Sequence, residues 1–311
     1  MTGAAYTEQD FDYAGAQIHL SPEVIDARIK QIWQKEFKGA RLLGFQGDMP
    51  PTIQKVKEEG FQGEVDWLSE KGGYNQTDMK WTKIPKVIRP YGVSFDILTE
   101  EFKYQQLSTI ARKIALNTYM MVKFEDAVIY NDILAGIPEN NTVPGSDWTI
   151  TKDAAGVTAG DPIADFGKGR RIVRRATKGA VTPDTIVMSE MAFEYLGKFD
   201  KIQNRLYYAP PGAEGGYVRT AQIPMLMGME VMLDDQVDPL DTGRVALGKK
   251  GPMLGYLAEV EPLSTLYAEG RAAFHPEIQW RYWERARREP IIEGGETWVL
   301  LEGIFGEDGL P

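Results

Sequence analysis

Residues equipped for catalysis are scarce in this chain, and their spacing argues against most enzyme chemistries. The only imidazoles are His19 and His275. A Ser-His-Asp triad would need one of them as its base. His19 lies in an unpatterned arm and His275 stands beside Pro276, and no Gly-x-Ser-x-Gly elbow frames a serine. The absence of cysteine removes disulfides, thiolate nucleophiles and thiolate zinc sites. A His-Glu-x-x-His zinc motif is missing as well. Asp234, Asp235, Asp238 and Asp241 offer carboxylate oxygens, but their spacing departs from that of a calcium-binding loop, so they read as an acidic turn. Gly167-Lys168-Gly169 lacks both the spacing of a phosphate loop and the hydroxyl that would hold magnesium. The expectation is a protein with no catalytic residue, no metal and no cofactor.

Two cationic clusters point to binding instead. Lys168, Arg170, Arg171, Arg174, Arg175 and Lys178 fall within eleven residues. On a helix the pairs 170/174 and 171/175 share a face. Phosphates or a neighbour's carboxylates would satisfy such a face. With 35 Lys+Arg against 45 Asp+Glu the chain carries a net charge of −10. Carboxylate pairing at a contact is therefore favoured over nucleic acid, since counterion release needs several phosphates engaged together. Arg281, Arg285, Arg287 and Arg288 form the second cluster, interleaved with Trp280, Tyr282 and Trp283. Single-strand stacking platforms combine these residue types. Arginines stacked on aromatics along a sheet edge are the preferred reading.

The elements that must carry these residues follow from periodicity. At 311 residues, 43% hydrophobic and 26% charged, the chain has the means to bury a core. No basic, then apolar leader opens it, so it is expected to be cytosolic when made. Its longest apolar run, Ile223 to Leu233, is interrupted by Glu230 and falls short of the roughly 20 residues that span a bilayer. After an arm, Ser21-Pro22-Glu23 starts a helix with the stripe Ile25, Ile29, Ile32, Trp33 and Phe37, ending at Gly39.

Between Pro51 and Pro90 the chain reads as an extended hairpin. Val65 and Trp67 alternate with Glu64 and Asp66, Lys71-Gly72-Gly73 supplies the turn, and Met79 and Trp81 lie on the return. A ribbon this thin in apolar residues is marginal alone, so Val65, Trp67, Met79 and Trp81 are expected to rest on another subunit. Val87 to Ile97 reads as one strand. Thr99 to Leu134 then reads as a single helix of about 50 Å, with its stripe at Leu107, Ile110, Ala111, Ile114, Thr118, Met121, Val122, Val128 and Ile129.

Ala135 to Asp165 is expected to be loop, followed by a helix over Arg170 to Thr177 and a strand over Thr185 to Met188. A Ser189-capped helix runs to Leu196 and stops at Gly197. Strands are expected over Val245 to Leu247 and Met253 to Leu257. His275 to Trp283 and Thr297 to Leu301 read as a closing strand pair against which the long helix packs.

This order of elements resembles one family. Lys86-Val-Ile-Arg-Pro-Tyr-Gly-Val-Ser-Phe-Asp-Ile-Leu-Thr99, then Ala111-Arg-Lys-Ile-Ala115, then Glu125-Asp-Ala-Val-Ile-Tyr-Asn-Asp132 resemble the strand and spine helix of a peripheral domain. Thr182-Pro-Asp-Thr-Ile-Val-Met-Ser189 and Met227-Gly-Met-Glu-Val-Met-Leu-Asp234 resemble parts of an axial domain, and Glu277 to Arg287 with Thr297 to Leu301 resemble the peripheral-domain strands that close the chain. The family is the major capsid proteins of tailed double-stranded DNA viruses, the Hong Kong 97 type.

The resemblance implies an α+β fold in four parts. These are an N-terminal arm and helix over 1–40, an extended loop over 41–90, a peripheral domain over 91–145 and 255–311, and an axial domain over 146–254. It also implies hexameric and pentameric capsomers closing into an icosahedral shell around double-stranded DNA held by weak, non-specific contact. Scaffolding, portal and decoration proteins are the further partners it implies, no membrane is involved, and the product is a virion assembled in the host cytoplasm. Arg170, Arg171, Arg174 and Arg175 would then lie at a subunit contact or the lumen. With Met1 as the native start, scaffolding is expected from a separate protein or not at all. Family members that cross-link use a hairpin lysine, and Lys55, Lys57, Lys71, Lys80 and Lys83 are available here. The alternative is an encapsulin-like nanocompartment that packages a cargo enzyme.

Overall fold

A computed structural model describes residues 27–32, 37–62, 78–98, 100, 107–150, 160–199, 202, 225–240, 242–269 and 278–305. The strands in chain order are β1 (Leu43–Gln46), β2 (Thr52–Gln62), β3 (Asp78–Val87), β4 (Tyr91–Leu98), β5 (Thr142–Pro144) and β6 (Thr185–Met188). They continue as β7 (Met225–Leu226), β8 (Met229–Leu233), β9 (Val245–Gly248), β10 (Gly251–Glu269), β11 (Ile278–Ile292) and β12 (Trp298–Glu302). The principal helices are α1 (Leu107–Gly136), α2 (Pro162–Ala176) and α3 (Glu190–Gly197). The strands form a four-stranded sheet in the order β1-β10-β11-β4, a six-stranded sheet in the order β5-β12-β9-β6-β8-β7, and the separate ribbon β2-β3.

The four-stranded sheet and α1 make one unit because each presents one apolar face. Along β11, Tyr282, Glu284 and Ala286 are buried while Trp283 and Arg285 are exposed, the alternation of a half-covered strand. Tyr282 stacks on Phe95 of β4 at 5.2 Å. Against this face α1 turns Ile110, Ile114, Thr118, Met121, Val122 and Ile129, all buried, so the stripe expected from three-and-four spacing is the face that packs. Described from Leu107, α1 has 30 residues and is about 45 Å long. Gly92 lets β4 approach β11 closely: a Cβ there would lie 2.3 Å from the Glu284 carbonyl oxygen.

In the six-stranded sheet the inner strands β12, β9 and β6 are buried on both faces. Thr185–Met188, Val245–Gly248 and Trp298–Leu301 are buried throughout, as strands covered on both sides must be. Helix α2 lies across β9 and β12, where a Cβ on Gly169 would come within 2.7 Å of Leu247 and 3.0 Å of Val299. Helix α3 starts as its sequence implies, with the Ser189 hydroxyl accepting from the Ala192 amide. Residues Met225 to Leu233 form a tight hairpin, because Met227 and Gly228 both take positive φ and turn β7 back onto β8.

Four sequence expectations are corrected. The expected strand pair does not form: Trp298–Leu301 pairs with Val245–Gly248 and, in parallel, Leu300–Glu302 pairs with Thr142–Pro144. β5 and β12 therefore both belong by hydrogen bonding to the six-stranded sheet. The physical reason is burial of β12 on both faces, which the one-sided four-stranded sheet has no room to provide. Secondly, the expected loop to Asp165 ends early, because Asp161 caps α2 through the Ala164 amide and Pro162 occupies the first turn. Thirdly, the single strand over Val87 to Ile97 is two, β3 and β4, broken at 88–90. Lastly, the strand expected over Met253 to Leu257 runs on as the 19 residues of β10, and the one expected to end at Trp283 continues to Ile292 in the 15 residues of β11.

Candidate interface surfaces

The ribbon β2–β3 is the first of the expected contact elements. β2 and β3 pair from Thr52↔Val87 to Gln62↔Asp78, with a register shift between Glu58 and Phe61. Eleven residues of β2 reach about 35 Å. Among the described residues neither strand pairs with any other. Its root is held firmly. Ile53 and Ile88 pack with Ala258 and Ile291 in a small core of their own. The Lys86 ammonium bonds the Asp132 carboxylate at 2.6 Å and the Pro290 carbonyl at 2.8 Å, with Glu289 at 3.3 Å. The Arg287 guanidinium donates to the Ile88 carbonyl at 2.8 Å. Helix, sheet and ribbon are thus tied at one point.

The register places Met79 opposite Phe61 and Trp81 opposite Glu58. Val65, Trp67 and the turn at 71–73 lie outside the described residues. Lys86 was quoted in the sequence only as part of the resemblance; its role at the ribbon root depends on Asp132, Glu289 and Pro290, remote in sequence.

The basic face of α2 forms as the spacing implies, with one difference. Phe166, Gly169 and Val173 turn inward and Arg171, Arg174 and Arg175 turn to solvent. Arg170 is half-buried and donates to the Met227 carbonyl at 3.2 Å, so it braces the β7–β8 turn. Among the described residues the three exposed arginines have no ion-pair partner. Arg174 and Arg175 stand in the last turn, where the helix dipole favours cations. The chain then reverses through Lys178 and Gly179 at positive φ, and the Gly179 amide closes on the Arg174 carbonyl.

The second arginine cluster is spent on other partners than those expected. Arg281 makes a two-pronged bond to Asp96, at 2.7 and 2.9 Å, and Arg285 meets Glu261 at 3.0 Å. Arg288 pairs with Glu259 and lies 3.9 Å from Glu125. The pairs with Asp96, Glu261 and Glu259 are cross-strand carboxylate pairs, not ring stacks. On the same outer face a groove of about 660 Å³ is lined by Val93, Ser94, Leu266, Trp283 and Arg285, where Leu266 is 56% and Trp283 37% exposed. Cross-strand register sets Leu266, Trp283 and Ser94 side by side.

A third feature went unread in the sequence. Three carboxyls are buried between α1 and its neighbours. Glu284 accepts from the Thr118 hydroxyl at 3.2 Å, and its other oxygen has no hydrogen-bond partner. Burial pushes it up to about 7 against that single bond. Glu125 is likewise pushed up by burial to about 7, opposed by the Arg288 guanidinium. Asp126 accepts from the Gly39 amide at 2.7 Å, yet burial still raises it to about 7. Glu125 and Asp126 sit inside the apolar stripe, four residues after Met121 and Val122, and that position was the available signal.

Nothing resembling a catalytic centre assembles among the described residues. His19 and His275 lie outside them. No group of three or more His, Cys, Asp or Glu among the described residues is placed to hold a metal. In the acidic turn Asp238 is buried and accepts from the Thr242, Gly243 and Arg244 amides, which accounts for it as a loop organiser. Among the described residues no helix is long and apolar enough to cross a membrane.

No family model matches the chain, and no curated protein matches it by sequence. Solved structures do match by shape. A virus-like particle from Pyrococcus furiosus aligns over 90% of this chain and 98% of its own, with TM-score 0.59 and 11% identity. The mature capsid of bacteriophage PhiM1 aligns over 88% of each chain, with TM-score 0.58 and 14% identity. The capsid of a native GTA particle aligns over 85% of this chain and 90% of its own, with TM-score 0.57 and 15% identity. The chain therefore has the α+β fold of Hong Kong 97-type capsid proteins.

Proposed function

We propose that this chain, built on the Hong Kong 97-type capsid fold, is a major capsid protein: a structural subunit that assembles as hexamers and pentamers into an icosahedral shell around the double-stranded DNA of a tailed virus. The observation that carries this reading is the ribbon β2–β3, anchored at its root by Lys86 and Ile88 and paired with no other strand among the described residues. A ribbon of that length gains little from burial within its own subunit, so it is suited to clamp a neighbour. Val65, Trp67, Met79 and Trp81 supply its contact residues, and the groove beside Leu266 and Trp283 offers apolar surface to receive them. The four expected domains serve this architecture, with the β5 and β12 strands counted with the axial sheet.

Arg171, Arg174 and Arg175, with Arg170 bracing the turn beneath them, meet carboxylates of an adjacent subunit or the packaged DNA by weak, non-specific contact. Scaffolding, portal and decoration proteins are the further partners of such a shell, and its place is the virion after assembly in the host cytoplasm. The role needs no catalytic group. A second reading, an encapsulin-like compartment enclosing a cargo enzyme, is favoured by the likeness to the Pyrococcus virus-like particle over 98% of that chain.

Electron microscopy of the purified protein tests the shell, and the nucleic-acid content of particles from their natural source separates the two readings. Replacing Glu64 through Lys80 with a short Gly-Ser linker is expected to leave a folded subunit with unchanged circular dichroism and to abolish closed shells. Normal particles from that variant would refute the clamp.

A further inference from the structure

The outer face of α1 is left open in a way the packing of the helix does not require. Leu116, Tyr119, Met120 and Phe124 recur at three- and four-residue spacing and are 57%, 48%, 56% and 52% exposed. They form one apolar stripe about two turns long, opposite the buried face. The exposed charges beside it, Arg112 and Lys123, are both cationic, and neither has an ion-pair partner among the described residues. Of the acidic residues of this stretch Glu125 is turned into the core, and Asp126, also buried, borders the small cleft that Lys123 and Asp234 line. The free face of α1 is therefore apolar and positive on a chain whose net charge is −10.

One segment of the same chain has the complementary character. No Lys or Arg precedes Arg28, whereas Glu8, Asp10, Asp12, Glu23 and Asp26 are acidic and Tyr6, Phe11, Tyr13, Ile18 and Leu20 are apolar or aromatic. The run Asp10-Phe11-Asp12-Tyr13 alternates the two kinds. The point where this segment joins the described fold also lies beside α1. Ile29 is fully buried in the core that holds Ile110 and Ile114. Lys38 lines a cleft of about 90 Å³ together with Tyr119 and Lys123. Twenty extended residues reach about 65 Å, more than the length of α1.

We propose that the acidic, aromatic arm 1–20 docks on the Leu116–Met120–Phe124 face of α1 in its own subunit, with Asp10 and Asp12 meeting Arg112 and Lys123. A tether rooted against the same helix holds the arm at millimolar effective concentration, so the arm of the same subunit outcompetes that of a second copy. The proposal stands independently of the shell reading.

The cysteine-free sequence makes the test direct, because any disulfide in a double-cysteine variant reports the engineered pair alone. The full-length chain carrying Phe11→Cys and Met120→Cys is oxidised and compared with one carrying Phe11→Cys and Met225→Cys. Met225 is 62% exposed on the edge strand of the other sheet. An intrachain cross-link forming at least about tenfold faster in the first pair is expected. Adding Asp10→Lys and Asp12→Lys should slow it, and adding Arg112→Glu and Lys123→Glu on top should restore it. Equal rates in the two pairs, a disulfide-linked dimer as the main product, or no response to the charge changes would each overturn the assignment.

Discussion

Glu284→Gln isolates the cost of placing a carboxylate under the spine helix. Glu284 faces Thr118 in the core between α1 and β11, 1% exposed, with one hydrogen bond and no cation among its neighbours. Burial raises it from 4.5 to about 7. A carboxyl raised in the folded state holds its proton more tightly there than in the unfolded chain, so it costs nothing below pH 4.5. As pH rises from about 4.5 to about 7 the unfolded chain releases the proton first, and stability falls through that window. Above it the cost levels off near 1.36 kcal/mol per pH unit, or about 3 kcal/mol. Glutamine keeps the acceptor for Thr118 and never ionises.

The variant should therefore match the parent near pH 4 and exceed it by up to about 3 kcal/mol at pH 8, a gain of roughly 5 °C in Tm for a chain of this size. Thermal unfolding followed by circular dichroism across pH 4 to 8 measures the difference. A difference that does not change with pH, or a variant less stable at pH 8, would show that Glu284 is ionised in the folded protein at an ordinary value and that the core there is wet.

Two further outcomes follow from the same packing. Ile114→Asp puts an unpaired charge where Ile114 is 2% exposed, and should cost more than about 4 kcal/mol; soluble protein of unchanged Tm would mean that the faces of α1 are misassigned. Replacing the exposed Arg171, Arg174 and Arg175 together with Gln should change Tm little, since exposed charges contribute about 0–1 kcal/mol each, while shifting the ionic strength at which particles form; identical particle yield at every salt concentration would make that face idle.

How much of this could be read from the sequence differs by element, and the reason lies in how many partners each element needs. The inner face of α1 is legible because a helix 30 residues long repeats its stripe often enough to fix a phase. The same is true of Ser189 at the start of α3 and of the outward arginines on α2, where a local rule suffices. The start of α2 at Asp161-Pro162 obeys the same local rule as Ser21-Pro22, a capping side chain followed by proline in the first turn.

What stayed hidden depended on residues far away. Val299, Leu300 and Leu301 form an apolar run with no period to say which sheet would take it, and only pairing with β9 decides. Arg281, Arg285 and Arg288 suggested rings because rings are their sequence neighbours. The strand register sets them across from Asp96, Glu261 and Glu259 instead.

The buried carboxyls carry this point further. Glu125 and Asp126 look in sequence like the polar marks of a surface helix, yet they interrupt its core stripe. An acid at such a position is either a cost the fold bears or a group with a partner on another element. Asp126 has such a partner in the Gly39 amide, and Glu125 lies 3.9 Å from Arg288 and beside the Tyr91 hydroxyl. Glu284 has the Thr118 hydroxyl and no charge at all. The three therefore differ in what they gain from staying protonated, and the ordering predicts where the helix is least firmly seated at alkaline pH: at Glu284, beneath Thr118, before the turn that carries Glu125 and Asp126.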